Sequence, residues 1–169
     1  IRAIVERCRE TGDLGETEIT RLFQARGNDF AWLVRQADEL RRQVNGDSVS
    51  YVVNRNINYT NVCNVYCKFC ACWRSEKAAD AYVITHDEID QKIEETIALG
   101  GTQILMQGGH HPKLDKQWYL DLLSHIRDKF PQINIHAVSP SEFIHFRDVF
   151  GEPLETLIRD FREAGLGSI

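Results

Sequence analysis

Proline and methionine are scarce in this chain, positive charge is not in excess, and long apolar runs are missing. Four prolines and eleven glycines in 169 residues, without a repeat, exclude a collagen-like or low-complexity chain. No run of about 18 apolar residues occurs, so no helix is expected to span a membrane. Lysine and arginine number 20 against 25 acids, a net charge of −5, which leaves no basic field to attract nucleic acid. The single methionine is not the first residue, and Ile1-Arg2-Ala3-Ile4-Val5-Glu6 mixes acid with base, unlike a signal peptide. Cysteines number five, an odd count for a disulfide framework. With 43% apolar and 27% charged residues the composition suits an ordinary cytoplasmic enzyme, where disulfides are rare. The length suffices for one domain with its own core. The start without methionine, and an end at Gly165-Leu166-Gly167-Ser168-Ile169 that reads as the opening of a strand, predict a piece of a longer chain.

The pattern along the chain divides it in two. Residues 1–48 read as an N-terminal helical extension. Ile4, Val5 and Cys8 repeat at helical spacing up to Gly12, and Thr17 to Gln24 is a short second helix. A third helix is capped by Asn28-Asp29 and carries an apolar face of Phe30, Leu33, Val34, Ala37 and Leu40. Residues 49–169 alternate strand and helix. Val49–Val53 and Ile57–Thr60 are β-rich. Thr85 and Glu88 form a capping box for a helix through Ile89, Ile93 and Ile97 to Gly100. Strand Gln103–Gln107 follows, then a helix from about Asp115 to Phe130, a strand Ile133–Val138, and a helix from about Pro153 to Ala164. Such alternation predicts an α/β fold with a parallel sheet of about three βα units. In barrels of this kind chemistry sits on the loops leaving the C-terminal ends of strands. The loops after Thr60, after Gln107 and after Val138 all carry reactive or polar residues.

The first of these loops contains Cys63-Asn64-Val65-Tyr66-Cys67-Lys68-Phe69-Cys70, three cysteines at C-x3-C-x2-C spacing. Three thiolates on one short loop can hold three corners of a cubane iron–sulfur cluster, whose full complement is usually four cysteines. The fourth iron is then open to another ligand. Part of a zinc site is the alternative, although structural zinc wants four ligands, usually as two separated pairs. Cys72 and distant histidines are the only further candidates.

This spacing, with its aromatic before the third cysteine, resembles the signature of the radical S-adenosylmethionine (SAM) superfamily. The resemblance implies a 4Fe–4S cluster on Cys63, Cys67 and Cys70, with SAM chelating the open iron through its amine and carboxylate. It implies reductive cleavage of SAM to a 5′-deoxyadenosyl radical, and a one-electron reductant such as flavodoxin or ferredoxin. It also implies the first half of a TIM-type barrel that continues past Ile169. Asn54 to Cys63, Ile93 to Gly109 and Phe130 to His145 resemble one branch of the superfamily. That branch contains the menaquinone enzymes cyclic dehypoxanthinyl futalosine synthase and aminofutalosine synthase, and the FO synthase of deazaflavin biosynthesis. The first of these is the closest in pattern, with dehypoxanthine futalosine as substrate. Leu22–Gly27 and Ala164–Ser168 also resemble FO synthase. Cys72-Trp73 stands where the branch usually shows a bulky aromatic after Ala71, so Cys72 is not expected to bind the cluster.

The resemblance gives Phe69 a place against the SAM adenine and Gly108-Gly109, following Gln107, a place at its methionine end; core filling and a plain turn are the bland readings. His110, beside His111, is a candidate proton acceptor or a loop-shaping residue. His136 alternates away from Ile133 and Ile135 and is either inside the barrel beneath the site or a core histidine. Ser139 and Glu142 suit the hydroxyls of a ribose or substrate, although Glu142 equally suits the start of a helix. Asn54, Arg55, Asn56 and Asn58 are dense polar residues before a cluster loop, either a hydrogen-bonded barrel floor or substrate contacts. His86, His125 and His145 read as surface or helix residues.

Overall fold

A computed structural model describes all residues 1–169. The chain divides into two compact units, Ile1–Ser50 and Tyr51–Ile169. The first holds three helices: α1 (Arg2–Thr11), α2 (Glu16–Phe23) and α3 (Gly27–Asn45). Gly12 ends α1 in the left-handed region, φ 71°, where its N–H reaches the carbonyl of Cys8. Glu18 accepts from Gly15 N–H at the start of α2 and pairs with Arg7. Helix α3 begins one residue before the expected cap, with Arg26 as its N-cap. Its apolar face is not packed as expected: Phe30, Val34 and Leu40 are exposed. Ala25 is the one buried apolar residue of the unit, because three helices of this length cannot enclose a core by themselves.

The second unit is a three-stranded parallel sheet, β1 (Asn54–Asn58), β2 (Gln103–Gln107) and β3 (Asn134–Ala137), in the order β1-β2-β3. Helix α4 (His86–Ala98) joins the first pair and α5 (Lys116–Lys129) the second. Two helices, α6 (Pro140–Phe150) and α7 (Leu154–Ala164), follow β3. After α7 the chain returns beside β3. Ser168 bridges His136 in parallel, and Ala137 N–H donates to Ser168 O at 3.0 Å.

Neither expected β-rich run near residue 50 survives intact. Val49, Tyr51 and Val52 are exposed and outside any strand, while β1 is Asn54–Asn58. Asn and Arg have poor strand propensity, but five register pairs with β2 decide the matter. Helix α6 was not expected as an element. Ser139 caps it, Glu142 closes a capping box and Pro140 sits in the first turn.

Alternation sends Ile57, Ile104, Met106, Ile135 and Ala137 to one face, where all are buried. The helices cover that face through Ile89, Ile93, Leu122, Leu123, Ile126, Phe143, Phe146, Leu157 and Phe161. Tyr59 and Tyr119 extend this aromatic core, edge to face at 5.6 Å between ring centres. No helix is long and apolar enough to cross a membrane.

Candidate functional site

The long loop between β1 and α4 is closed at its base by short-range pairing. Ile84 N–H donates to Tyr59 O at 2.8 Å, and Thr60 bridges Val83 in antiparallel fashion. The side chain of Asn61 donates to Asp80 O at 2.7 Å and accepts from Tyr82 N–H at 2.9 Å. Arg74 pairs with Asp80 at 2.7 Å, and its backbone is linked to Asn61 and Cys63. These contacts hold the neck, and the cysteines stand above it. Cys63 is half-buried; Cys67, Cys70 and Cys72 are exposed. Phe69 is fully exposed and fills no core.

Backbone strain collects here. Tyr66, next to Cys67, has φ 55°, and Val138, at the end of β3, has φ 62°. A β-branched residue in the left-handed region is rare, and such residues persist where the surroundings over-determine them.

The turn after β2 packs directly on the cysteine loop. Gly109 N–H donates to Thr60 O at 3.0 Å, and Asn64 N–H donates to His110 O at 3.1 Å. A Cβ on Gly109 would lie 2.2 Å from Val62 O, and one on Gly108 would lie 2.4 Å from the Tyr59 ring. Close approach, and not positive φ, is what requires glycine at both positions.

Glu142, expected at the rim, is almost fully enclosed at 2% exposure. Its carboxylate accepts from Tyr59 O–H at 2.5 Å, from Gly108 N–H at 3.1 Å and from Ser139 N–H at 2.7 Å. One carboxylate thus ties together the C-terminal ends of all three strands. Burial, and then the Glu142 charge, push the Tyr59 phenol well above its usual pKa, so it stays a donor. The Ser139 hydroxyl accepts from Glu142 N–H and is occupied in the helix cap.

His110 stacks on His145 at 4.8 Å between ring centres. Burial, followed by the neighbouring His145, lowers its pKa, with Glu142 acting the other way. It is therefore neutral near pH 7. His111 shapes the loop: its Nδ1 accepts from Lys113 and Leu114 N–H, both at 3.1 Å. Burial also lowers its pKa. His145, expected as a surface or helix residue, lies in α6 but is buried, and donates from Nε2 to His111 O at 3.1 Å. His86 and His125 stack on each other elsewhere, His125 bonded to Asp90 at 2.7 Å. His136 lies on the sheet face away from the helices, its Nδ1 2.7 Å from Ser168 Oγ. Gln107 is exposed at the end of β2, opposite Asn58.

No three histidine, cysteine or carboxylate side chains gather closely enough to hold one metal ion. Cys63, Cys67 and Cys70 are spread along their loop. A zinc ion needs its ligands gathered round a point, whereas a cubane takes thiolates at separate corners. Three thiolates within eight residues of one loop suit three corners of a cubane.

Comparison with known proteins agrees with this geometry. The chain is 44% identical over 135 residues to the 5-amino-6-(D-ribitylamino)uracil–L-tyrosine 4-hydroxyphenyl transferase of Archaeoglobus fulgidus, covering 80% of this chain and 38% of that protein. It is 44% identical over 120 residues to the cyclic dehypoxanthine futalosine synthase of Halalkalibacterium halodurans, covering 71% of this chain and 32% of the relative. The chain thus spans about a third of the length of these relatives. The crystal structure of methylornithine synthase shares its fold, with a TM-score of 0.60 at 14% identity, over 95% of this chain and 56% of that one. The profile of the Radical SAM superfamily matches residues 57–169. The chain, carrying part of the superfamily's barrel, belongs to the radical SAM superfamily, in the branch shared by these two relatives.

Proposed function

We propose that the whole protein is a radical SAM enzyme of menaquinone biosynthesis by the futalosine route, cyclising dehypoxanthine futalosine. The observation that supports the SAM-dependent part of this reading is the locking of the Gly108-Gly109 turn onto the cysteine loop, at the end of the sheet where barrel enzymes keep their chemistry; the choice of substrate rests on the sequence pattern of Ile93–Gly109 and Phe130–His145. Cys63, Cys67 and Cys70 would hold the cluster, and the backbone of Gly108 and Gly109 would meet the methionine end of SAM. When bound, the pair supplies a 5′-deoxyadenosyl radical, given one electron from a flavodoxin- or ferredoxin-type donor. Phe69, exposed beside Cys70, is free to cover an adenine ring. Glu142 holds the turn in place, its almost fully enclosed carboxylate accepting from Tyr59, Gly108 and Ser139. Cyclisation must release a proton and give back one electron to the redox system that supplied it; neutral, half-buried His110 is the proton acceptor we assign.

A second reading is the coupling of tyrosine to ribitylaminouracil. Relatives so named match a larger share of this chain, up to its full length at 38% identity in Trichormus variabilis. The two readings separate in one experiment. Anaerobically reconstituted full-length protein is given SAM, reductant and either substrate. We expect 5′-deoxyadenosine in step with a cyclic product from dehypoxanthine futalosine, and deuterium from the ribose C4′ in the deoxyadenosine. Turnover of tyrosine with the aminouracil alone would overturn the cyclase assignment.

A further inference from the structure

The sheet face away from the helices has an unusual composition. In a TIM-type barrel the inward face is normally packed by branched apolar side chains in layers. Strand register here sets Asn54, Gln103 and Asn134 in a first row, Asn56, Leu105 and His136 in a second, and Asn58 and Gln107 in a third. Seven of these eight residues are polar, and none is Lys, Arg, Asp or Glu. Arg55 lies on the opposite face, paired with Glu95 at 2.5 Å and bonded to Lys92 O at 3.1 Å.

The rows differ in what their side chains do. In the first, Asn134 Nδ2 donates to Gln103 Oε1 at 2.9 Å and reaches Ser168 Oγ at 3.4 Å. Ser168 in turn meets His136 at 2.7 Å. This is a self-satisfied floor. Above it, towards the cysteine loop, Asn56, Asn58 and Gln107 are exposed, their amides open to solvent. Asn56 and Asn58 also line a cavity of about 400 Å³ at the edge of β1, with Tyr82, Glu88 and Lys92 completing its polar wall.

We propose that Asn56, Asn58 and Gln107 form a substrate subsite for the hydroxyls of a ribosyl or ribityl chain, while Gln103 and Asn134 serve only as the floor. The exposed amides of this row are free to meet the polar groups of a ligand. A sugar hydroxyl both donates and accepts, as an amide does, and suits this neutral row. The inference deepens the proposed function, because both candidate substrates carry such a chain.

The test uses the full-length, cluster-loaded protein and isothermal titration with dehypoxanthine futalosine, with ribitylaminouracil and with SAM. Asn56→Leu and Asn58→Leu should each weaken whichever sugar-bearing ligand the wild type binds by about tenfold, the worth of one lost hydrogen bond. SAM affinity and iron content should stay unchanged. Gln103→Leu and Asn134→Leu should lower the melting temperature and leave ligand affinity as it was. If the wild type binds one ligand and the Asn variants bind it equally well, the subsite is wrong while the proposed function stands. An equal loss of SAM affinity in the Asn variants overturns the subsite as well, assigning these residues to the cofactor. If the wild type binds neither ligand, both readings fall.

Discussion

Two buried tyrosines in edge-to-face contact should respond oppositely to the loss of one oxygen. The Tyr59 hydroxyl donates to the Glu142 carboxylate at 2.5 Å, whereas the buried Tyr119 hydroxyl makes no hydrogen bond of regular geometry and has only the Tyr59 hydroxyl beside it. Phenylalanine keeps the ring and its packing in both cases. Tyr59→Phe removes a hydrogen bond to a charged acceptor, worth about 1.5–3 kcal/mol. Glu142 keeps its two backbone donors, Gly108 and Ser139, so the expected cost is about 2 kcal/mol. Tyr119→Phe instead removes an unsatisfied buried hydroxyl, and should be neutral or stabilising by about 1 kcal/mol. Urea unfolding of the full-length protein reads both, provided the slope is unchanged and only the midpoint moves. The same Tyr59 variant should also weaken SAM binding, because the carboxylate that loses its partner is the one holding Gly108. An unchanged midpoint for Tyr59→Phe, or an equal loss in both variants, would refute the claim that Glu142 organises the strand ends.

Replacing Cys63, Cys67 or Cys70 with Ala should abolish the reduced-cluster EPR signal and SAM cleavage, while Cys72→Ser keeps both; loss of the cluster in Cys72→Ser would point to a fourth cysteine ligand. Gly109→Ala drives a methyl group against a backbone carbonyl that cannot swing away, at a cost of about 1–3 kcal/mol, and should displace the cysteine loop. Iron content and SAM affinity of that variant, compared with an alanine at Gly15, where φ is −75° and the nearest contact an ordinary 3.5 Å, would show it. The pKa values of His110 and His111 are lowered in the folded state, so below about 6.5 the unfolded chain binds protons that the folded one refuses. Stability should therefore fall as pH drops from 7.5 to 5, and less steeply in His110→Gln. An identical pH profile for that variant would exclude His110 as a contributor.

What the sequence determined by itself is the part whose chemistry is local. Thr85 with Glu88 and Asp115 before Trp118 place helix starts because each side chain meets a backbone N–H three residues away. Ser139-Pro140-Ser141-Glu142 carries the same local signature for α6, although that helix was not among the expected elements. The cysteine loop was legible for the same reason, since its ligands lie within eight consecutive residues. Tertiary structure alone decided the rest. Glu142 meets Tyr59 across 83 positions of chain, and that encounter depends on the register of three parallel strands. Strand β1 lies on Asn54–Asn58 and not on the valines before it, because pairing with β2 outweighs local propensity. Whether Asn58 and Asn134 belong to one row or two also follows from that register. Local hydrogen bonds are written in residue spacing, whereas the meeting of strand ends is set by how a whole sheet packs against its helices.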